Sequence, residues 1–131
     1  MFDMKLIIKE LDAKIDDRGI FAEILKSDDI KDQVKEVLLI VSKPNVVRGN
    51  HYHQKKIEWL CVIKGRAKFL YEDIKTGERK EFVVDNKPTI IKTPLNVAHA
   101  VKNIGDDDLY LFEISNHIYE ETPDIIKKVI M

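Results

Sequence analysis

Apolar segments of a few residues, each cut off by glycine, proline, asparagine or aspartate, follow one another along most of the chain. This rhythm, with turn signals every eight to twelve residues or so, is the signature of an all-β sandwich or barrel. Residues 5–9 read as a first strand and 20–25 as a second, with the turn residues Asp16, Asp17 and Gly19 before it. Residues 34–41 are rich in β-branched side chains and form a third, ended by Pro44 and Asn45. Residues 46–48 lead into a histidine-bearing strand. Strands over 58–63 and 66–72 are separated by Lys64 and Gly65, and a hairpin turn at 75–78 leads to a return strand at 81–84. Further strands are expected at 89–92, 97–102 and Leu109–Ser115, about nine or ten in all. Residues 27–30 carry the chemistry to cap one turn of helix. Only the tail, 123–131, reads as a helix, with Pro123 at its start, Asp124 in the first turn and lysines later.

At 131 residues the chain is one expected domain, 1–131, long enough to bury a core. Acidic and basic residues are interspersed and sum to a net charge of -1, which gives no support to nucleic-acid or membrane binding driven by bulk charge. No apolar run approaches the ~20 residues of a membrane span. The single cysteine, Cys61, has no internal partner and sits in an apolar run, as a buried small hydrophobe does. A cytoplasmic location is expected.

Of the four histidines, His51 and His53 are two residues apart, and on a strand they share a face while Tyr52 projects away. Residues 54–57 supply a turn, and Glu58 opens the next strand facing the same interior. His99 lies between Val97 and Val101 on its own face, so it too points inward. Three imidazoles and a carboxylate converging in an apolar barrel suit one divalent ion: zinc, iron, manganese, nickel or cobalt. A metal-free polar pocket is the alternative. The fourth histidine, His117, is read as a surface or packing residue.

At these positions the sequence resembles the cupin superfamily. Its first motif is matched from His51 and His53 through Glu58 to Gly65, without the leading glycine. Its second is matched by Pro94, His99 and Asn103, with Asn96 where glycine is usual. Asparagine also tolerates the left-handed backbone of that turn. The resemblance implies a cupin-type double-stranded β-helix, a jelly-roll barrel, here with a short C-terminal helix. Residues 16–25, the Arg48-Gly49-Asn50-His51-Tyr52-His53 segment, Asn116 to Tyr119 and Pro123-Asp124 resemble, more narrowly, cupins that act on nucleotide-linked 4-keto sugars. These include the C-terminal epimerase domain of the bifunctional UDP-sugar epimerase/reductase of capsular polysaccharide synthesis. The dTDP-4-keto-6-deoxyglucose 3,4-ketoisomerases and dTDP-4-keto-rhamnose 3,5-epimerases are similar more distantly. The reductase's nucleotide-binding domain has no counterpart in this sequence, so any reduction is expected from a separate protein.

The resemblance implies an epimerase or ketoisomerase that removes the proton beside a ketone and returns it. Metal ligation falls to His51, His53, Glu58 and His99, and substrate binding to Arg48, Tyr52 and Lys56, with Arg48 on the diphosphate. A surface ion pair is the alternative for Arg48. Candidate catalytic groups are His51, Tyr71 and Glu58, with Tyr110 a further possible proton donor. In the 3,5-epimerases the histidine matching His51 is the base, a role that metal ligation through the same nitrogen would block. Two other functions fit a cupin: a metal-dependent dioxygenase-type enzyme and a non-catalytic sugar-binding protein. The 58–63 strand is apolar on both faces. Its outer residues Trp59, Cys61 and Ile63 call for cover, by a second subunit in a homodimer or by the chain's own N-terminal strand or C-terminal helix.

Overall fold

The computed structural model describes residues 4–26, 34–118 and 124–131. Twelve strands make up its regular structure: β1 (Ile7–Glu10), β2 (Ala13–Asp16), β3 (Gly19–Ala22), β4 (Glu36–Ser42), β5 (Val47–Tyr52), β6 (Glu58–Lys64), β7 (Arg66–Asp73), β8 (Arg79–Asp85), β9 (Thr89–Thr93), β10 (Val97–Asn103), β11 (Leu109–Ser115) and β12 (Ile126–Lys127). One five-stranded sheet has the order β1-β9-β6-β11-β4 and the other β12-β5-β10-β7-β8. The described pairings are antiparallel. Leu60, Val62, Ile91, Leu109 and Leu111 of the first sheet pack against Phe69, Tyr71, Val84, Val97 and Val101 of the second. The core therefore lies between the sheets, in the jelly-roll arrangement of a cupin.

The turns explain themselves. Asn45, Asn86 and Asn96 take φ of 70°, 51° and 59°, the left-handed region that asparagine tolerates. Asn103 braces the 104–108 loop: its amide donates to Ser42 O and Asp107 O, and its carbonyl accepts the Gly105 N–H.

Two expectations change. Residues 124–131 contain no helix; Ile126 and Lys127 pair instead with Tyr52 and His51 on the open edge of β5. A nine-residue segment gains little from an isolated helix, whereas a free sheet edge offers backbone partners at once. Pro123 and residues 27–30, a segment with capping chemistry but too short to assign as helix, lie outside the described residues. β2 was not foreseen; it forms a separate hairpin with β3 around the expected turn.

The outer face of β6 is covered from within the chain over Trp59 and Cys61, while Ile63 stays exposed. Trp59 and Cys61 pack with Ile90 and Ile114, against Leu11, Ile24 and Leu25 of the N-terminal region. Among the described residues no helix is long and apolar enough to cross a membrane.

Candidate metal centre

The strand register brings the histidines together. On β10, His99 stands opposite His51 of β5 and Tyr71 of β7. His53 lies just beyond the end of β5. Glu58 opens β6 in the other sheet, paired with Thr93 and Ser115. The group thus bridges the two sheets. The three imidazole centroids are 4.8, 4.9 and 5.4 Å apart, and one nitrogen from each ring lies within 4.8 Å of the others.

Glu58 is fully buried. Its Oε1 is 2.8 Å from His99 Nε2 and its Oε2 3.7 Å from His53 Nε2. Neither carboxylate oxygen has a hydrogen bond of proper direction, nor does His53 Nε2. Burial raises the Glu58 carboxyl, but His99, together with Glu113 and His53, outweighs this and holds it well below the usual carboxylate range. The backbone orients two of the rings. His53 Nδ1–H donates to Asp124 O, and His99 Nδ1–H donates to Val97 O at 3.1 Å. A ring that donates through Nδ1 turns an Nε2 lone pair to the interior, the form a metal ligand takes. A lone pair on His99 Nε2 facing a carboxylate at 2.8 Å requires a positive charge between or upon them. A proton or a metal ion meets that need. Burial lowers the His99 pKa, yet Glu58 more than compensates and raises it. His51 is only half-buried; burial, then the neighbouring His99 and His53, push it down to about 4, so its ring is neutral near pH 7.

A bulge controls what stands next to these rings. Between His99 and Ala100 the partner on β5 jumps from His51 to Gly49, leaving Asn50 as the extra residue, at φ 55°. Arg48 therefore pairs with Val101, on the core-facing side. Its Nε donates to Ser42 Oγ at 2.7 Å and its Nη2 to Val41 O at 3.1 Å, across the gap between the sheets. It forms no ion pair with a described carboxylate. Gly49 permits this geometry: a Cβ there would lie 2.6 Å from His99 O.

Other site residues fall into distinct places. Tyr52 turns away from the histidines, opposite Ile126. Lys56 is buried, with Nζ 3.6 Å from Glu58 Oε2 and 3.3 Å from Glu113 Oε2. Tyr71 is fully buried beside His99, and burial raises its phenol pKa, so it keeps its proton. Tyr110 lies on the outer surface. Glu113 was missed in the sequence. Burial, then the nearby Glu58, raise its carboxyl to about 8. Its signal was there: it shares a strand face with Leu109 and Leu111, where a carboxylate is out of place.

Residues 14–126 match the polysaccharide biosynthesis C-terminal domain model. The chain belongs to that family. Within it, the chain is 35% identical over 111 residues to the UDP-2-acetamido-2,6-beta-L-arabino-hexul-4-ose reductase of Pseudomonas aeruginosa, which covers 83% of this chain but 29% of that protein. It resembles the crystal structure of the capsular polysaccharide assembling protein CapF from Staphylococcus aureus, with a TM-score of 0.70 and 27% identity over 92% of this chain and 34% of that one. The chain thus spans about a third of the length of these two relatives. A 3,4-ketoisomerase from Helicobacter canadensis shares the fold along nearly its whole length, with a TM-score of 0.80, 21% identity, and coverage of 96% of this chain and 92% of that one.

Proposed function

We propose that this chain is a metal-binding epimerase or ketoisomerase of a nucleotide-linked 4-keto-6-deoxy sugar, acting by proton transfer beside the ketone. The observation that carries the reading is the meeting of a fully buried carboxylate with three histidines, with His99 Nε2 2.8 Å from Glu58 Oε1, in a chain whose Arg48 forms no ion pair with a described carboxylate. Membership of a polysaccharide biosynthesis family, and a relative named for a UDP-linked hexul-4-ose, support the substrate class.

His51, His53, Glu58 and His99 would hold one divalent ion, of zinc, iron, manganese, nickel or cobalt. The donor set fits: the unbonded Glu58 oxygens and His53 Nε2 are lone pairs that need a cation. When bound, the ion supplies Lewis acidity toward the ketone oxygen. Arg48 binds and orients the diphosphate; it forms no ion pair with a described carboxylate. Tyr71 is the candidate proton donor: it lies beside His99, keeps its proton, and its buried hydroxyl has no hydrogen-bond partner among the described residues. Lys56 Nζ lies 3.6 Å from Glu58, and Tyr52 lies outside, by the C-terminal strand.

A second reading makes His51 the base. It is the most exposed of the three rings, it is unprotonated at neutral pH, and its ring nitrogens carry no hydrogen bond among the described residues. There the carbon-bound proton passes to a His51 nitrogen, the electron pair enters the enolate, and the proton returns to carbon. Incubation with UDP- or dTDP-4-keto-6-deoxy sugars in D2O tests the shared core of both readings. Deuterium is expected at the carbon next to the ketone, and no wash-in with either nucleotide overturns them. A homodimer completes the proposal: the β2–β3 hairpin exposes Ile15, Ile20 and Phe21, an apolar surface that association would cover. Light scattering on the eluting peak reads it; a clean monomer contradicts it.

A further inference from the structure

The turn between His53 and Glu58 is held entirely from distant parts of the chain. The backbone N–H groups of Gln54, Lys55 and Lys56 all donate to the Asp124 carboxylate, at 3.1, 2.6 and 2.9 Å. The next N–H, of Ile57, donates to Asn116 Oδ1 at 2.9 Å, and Asn116 N–H returns a bond to Ile57 O at 3.3 Å. The main-chain carbonyl of Asp124 also accepts His53 Nδ1–H. One residue therefore grips both a candidate ligand and the loop leading to the next.

A turn does not need this. The 74–77 turn is capped locally, by Asp73 accepting from Lys75 and Thr76 N–H. Asp124 is instead some 70 positions from the groups it caps. Its own segment is fastened to the strand that carries His51. Lys128 N–H donates to Asn50 O at 2.8 Å, and Asn50 Oδ1 accepts the N–H groups of Ile130 and Met131. Lys128 Nζ also lies 3.5 Å from Glu72. The bulge residue beside Arg48 and the turn beside Glu58 are thus tied together through residues 124–131.

We propose that Asp124 is a positioning residue, assisted by Asn116: it fixes the ring orientation of His53 and the spacing of His53 from Glu58. In its effect on metal binding this rests on the proposed metal centre; in its effect on the His53 ring it does not. Outer hydrogen-bond partners of ligating histidines typically change metal affinity about 10–100-fold.

The experiment uses the full chain as wild type, Asp124→Ala, Asp124→Asn and, as a capping control, Asp73→Ala. Nitrogen-15 shifts read the His53 tautomer in the metal-free protein, and Co2+ titration reads affinity. Wild type and Asp73→Ala are expected to hold His53 in the Nδ1–H form. Asp124→Ala is expected to show mixed tautomers and to bind Co2+ about 10–100-fold more weakly. Asp124→Asn, which keeps one acceptor oxygen, should fall between and covers the case in which the alanine variant does not fold. An unchanged tautomer and unchanged affinity in both Asp124 variants overturn the proposal. A wild type that binds no divalent ion defeats the metal reading alone, and the tautomer then decides the role of Asp124.

Discussion

Arg48 and His51 face the same side of β5 although they are three positions apart, because Asn50 is a bulge that removes one step from the alternation. A regular strand would set them on opposite faces. The bulge therefore turns Arg48, which forms no ion pair with a described carboxylate, to the histidine side of β5, with its guanidinium on Ser42 and Val41. Replacing Arg48 by alanine is expected to raise KM for the nucleotide sugar about tenfold or more with little change in kcat, since it removes binding common to ground and transition states. Lysine should rescue only in part, because it lacks the planar fork. Steady-state kinetics check both; an unchanged KM contradicts the assignment.

The same bulge depends on Gly49. At φ 94°, and with a Cβ only 2.6 Å from His99 O, alanine is both strained and obstructed by backbone. Gly49→Ala should cost on the order of 1–3 kcal/mol of stability, as forced backbone conformations do. It should also disturb His99, which Gly19→Ala, strained at φ 128° but with no atom within 4 Å of its Cβ, should not, so the difference between the two isolates the obstruction. Urea titration of the two variants measures the contrast.

Lys56 is the buried cation between Glu58 and Glu113. Its removal takes a counter-ion from the buried Glu58 carboxylate and leaves Glu113 without its donor, so Lys56→Met should destabilise by about 3 kcal/mol. Glu113→Gln should be much milder, because the raised carboxyl of Glu113 already holds a proton near neutral pH. If both variants unfold at the same urea concentration, Lys56 has no such role.

Cys61 is fully buried, and burial pushes its thiol up to about 11. Alkylation requires the thiolate, so folded protein should resist iodoacetamide at pH 7–8 and react only as pH approaches 11 or as urea unfolds it. Mass spectrometry of the quenched samples reports this; rapid labelling of native protein at pH 7 contradicts it.

How much of this was legible follows from which forces were local. His51 and His53, two apart on a strand, had to share a face, and Val97 and Val101 had to carry His99 inward with them; the described histidine cluster follows from those periodicities. The apolar outer face of β6 announced a covering layer, which Leu11, Ile24 and Leu25 provide over Trp59 and Cys61 but not over Ile63. The bulge at Asn50 was not legible, because alternation alone does not locate an inserted residue; the adjoining Gly49 was its only trace. The tail was misread for a similar reason. Asp124 has the right charge for the first turn of a helix, and only the folded chain brings it to the three N–H groups it actually caps.

The measurement that bears most directly on the site is metal content and location: elemental analysis of the purified protein, followed by anomalous diffraction across the metal edges of its crystals. One divalent ion per chain is expected, with its peak among His51, His53, Glu58 and His99, lost on Glu58→Gln together with deuterium wash-in. A protein that takes up no divalent ion at this position, yet exchanges the sugar proton at full rate, would contradict the metal centre and leave His51 as the base.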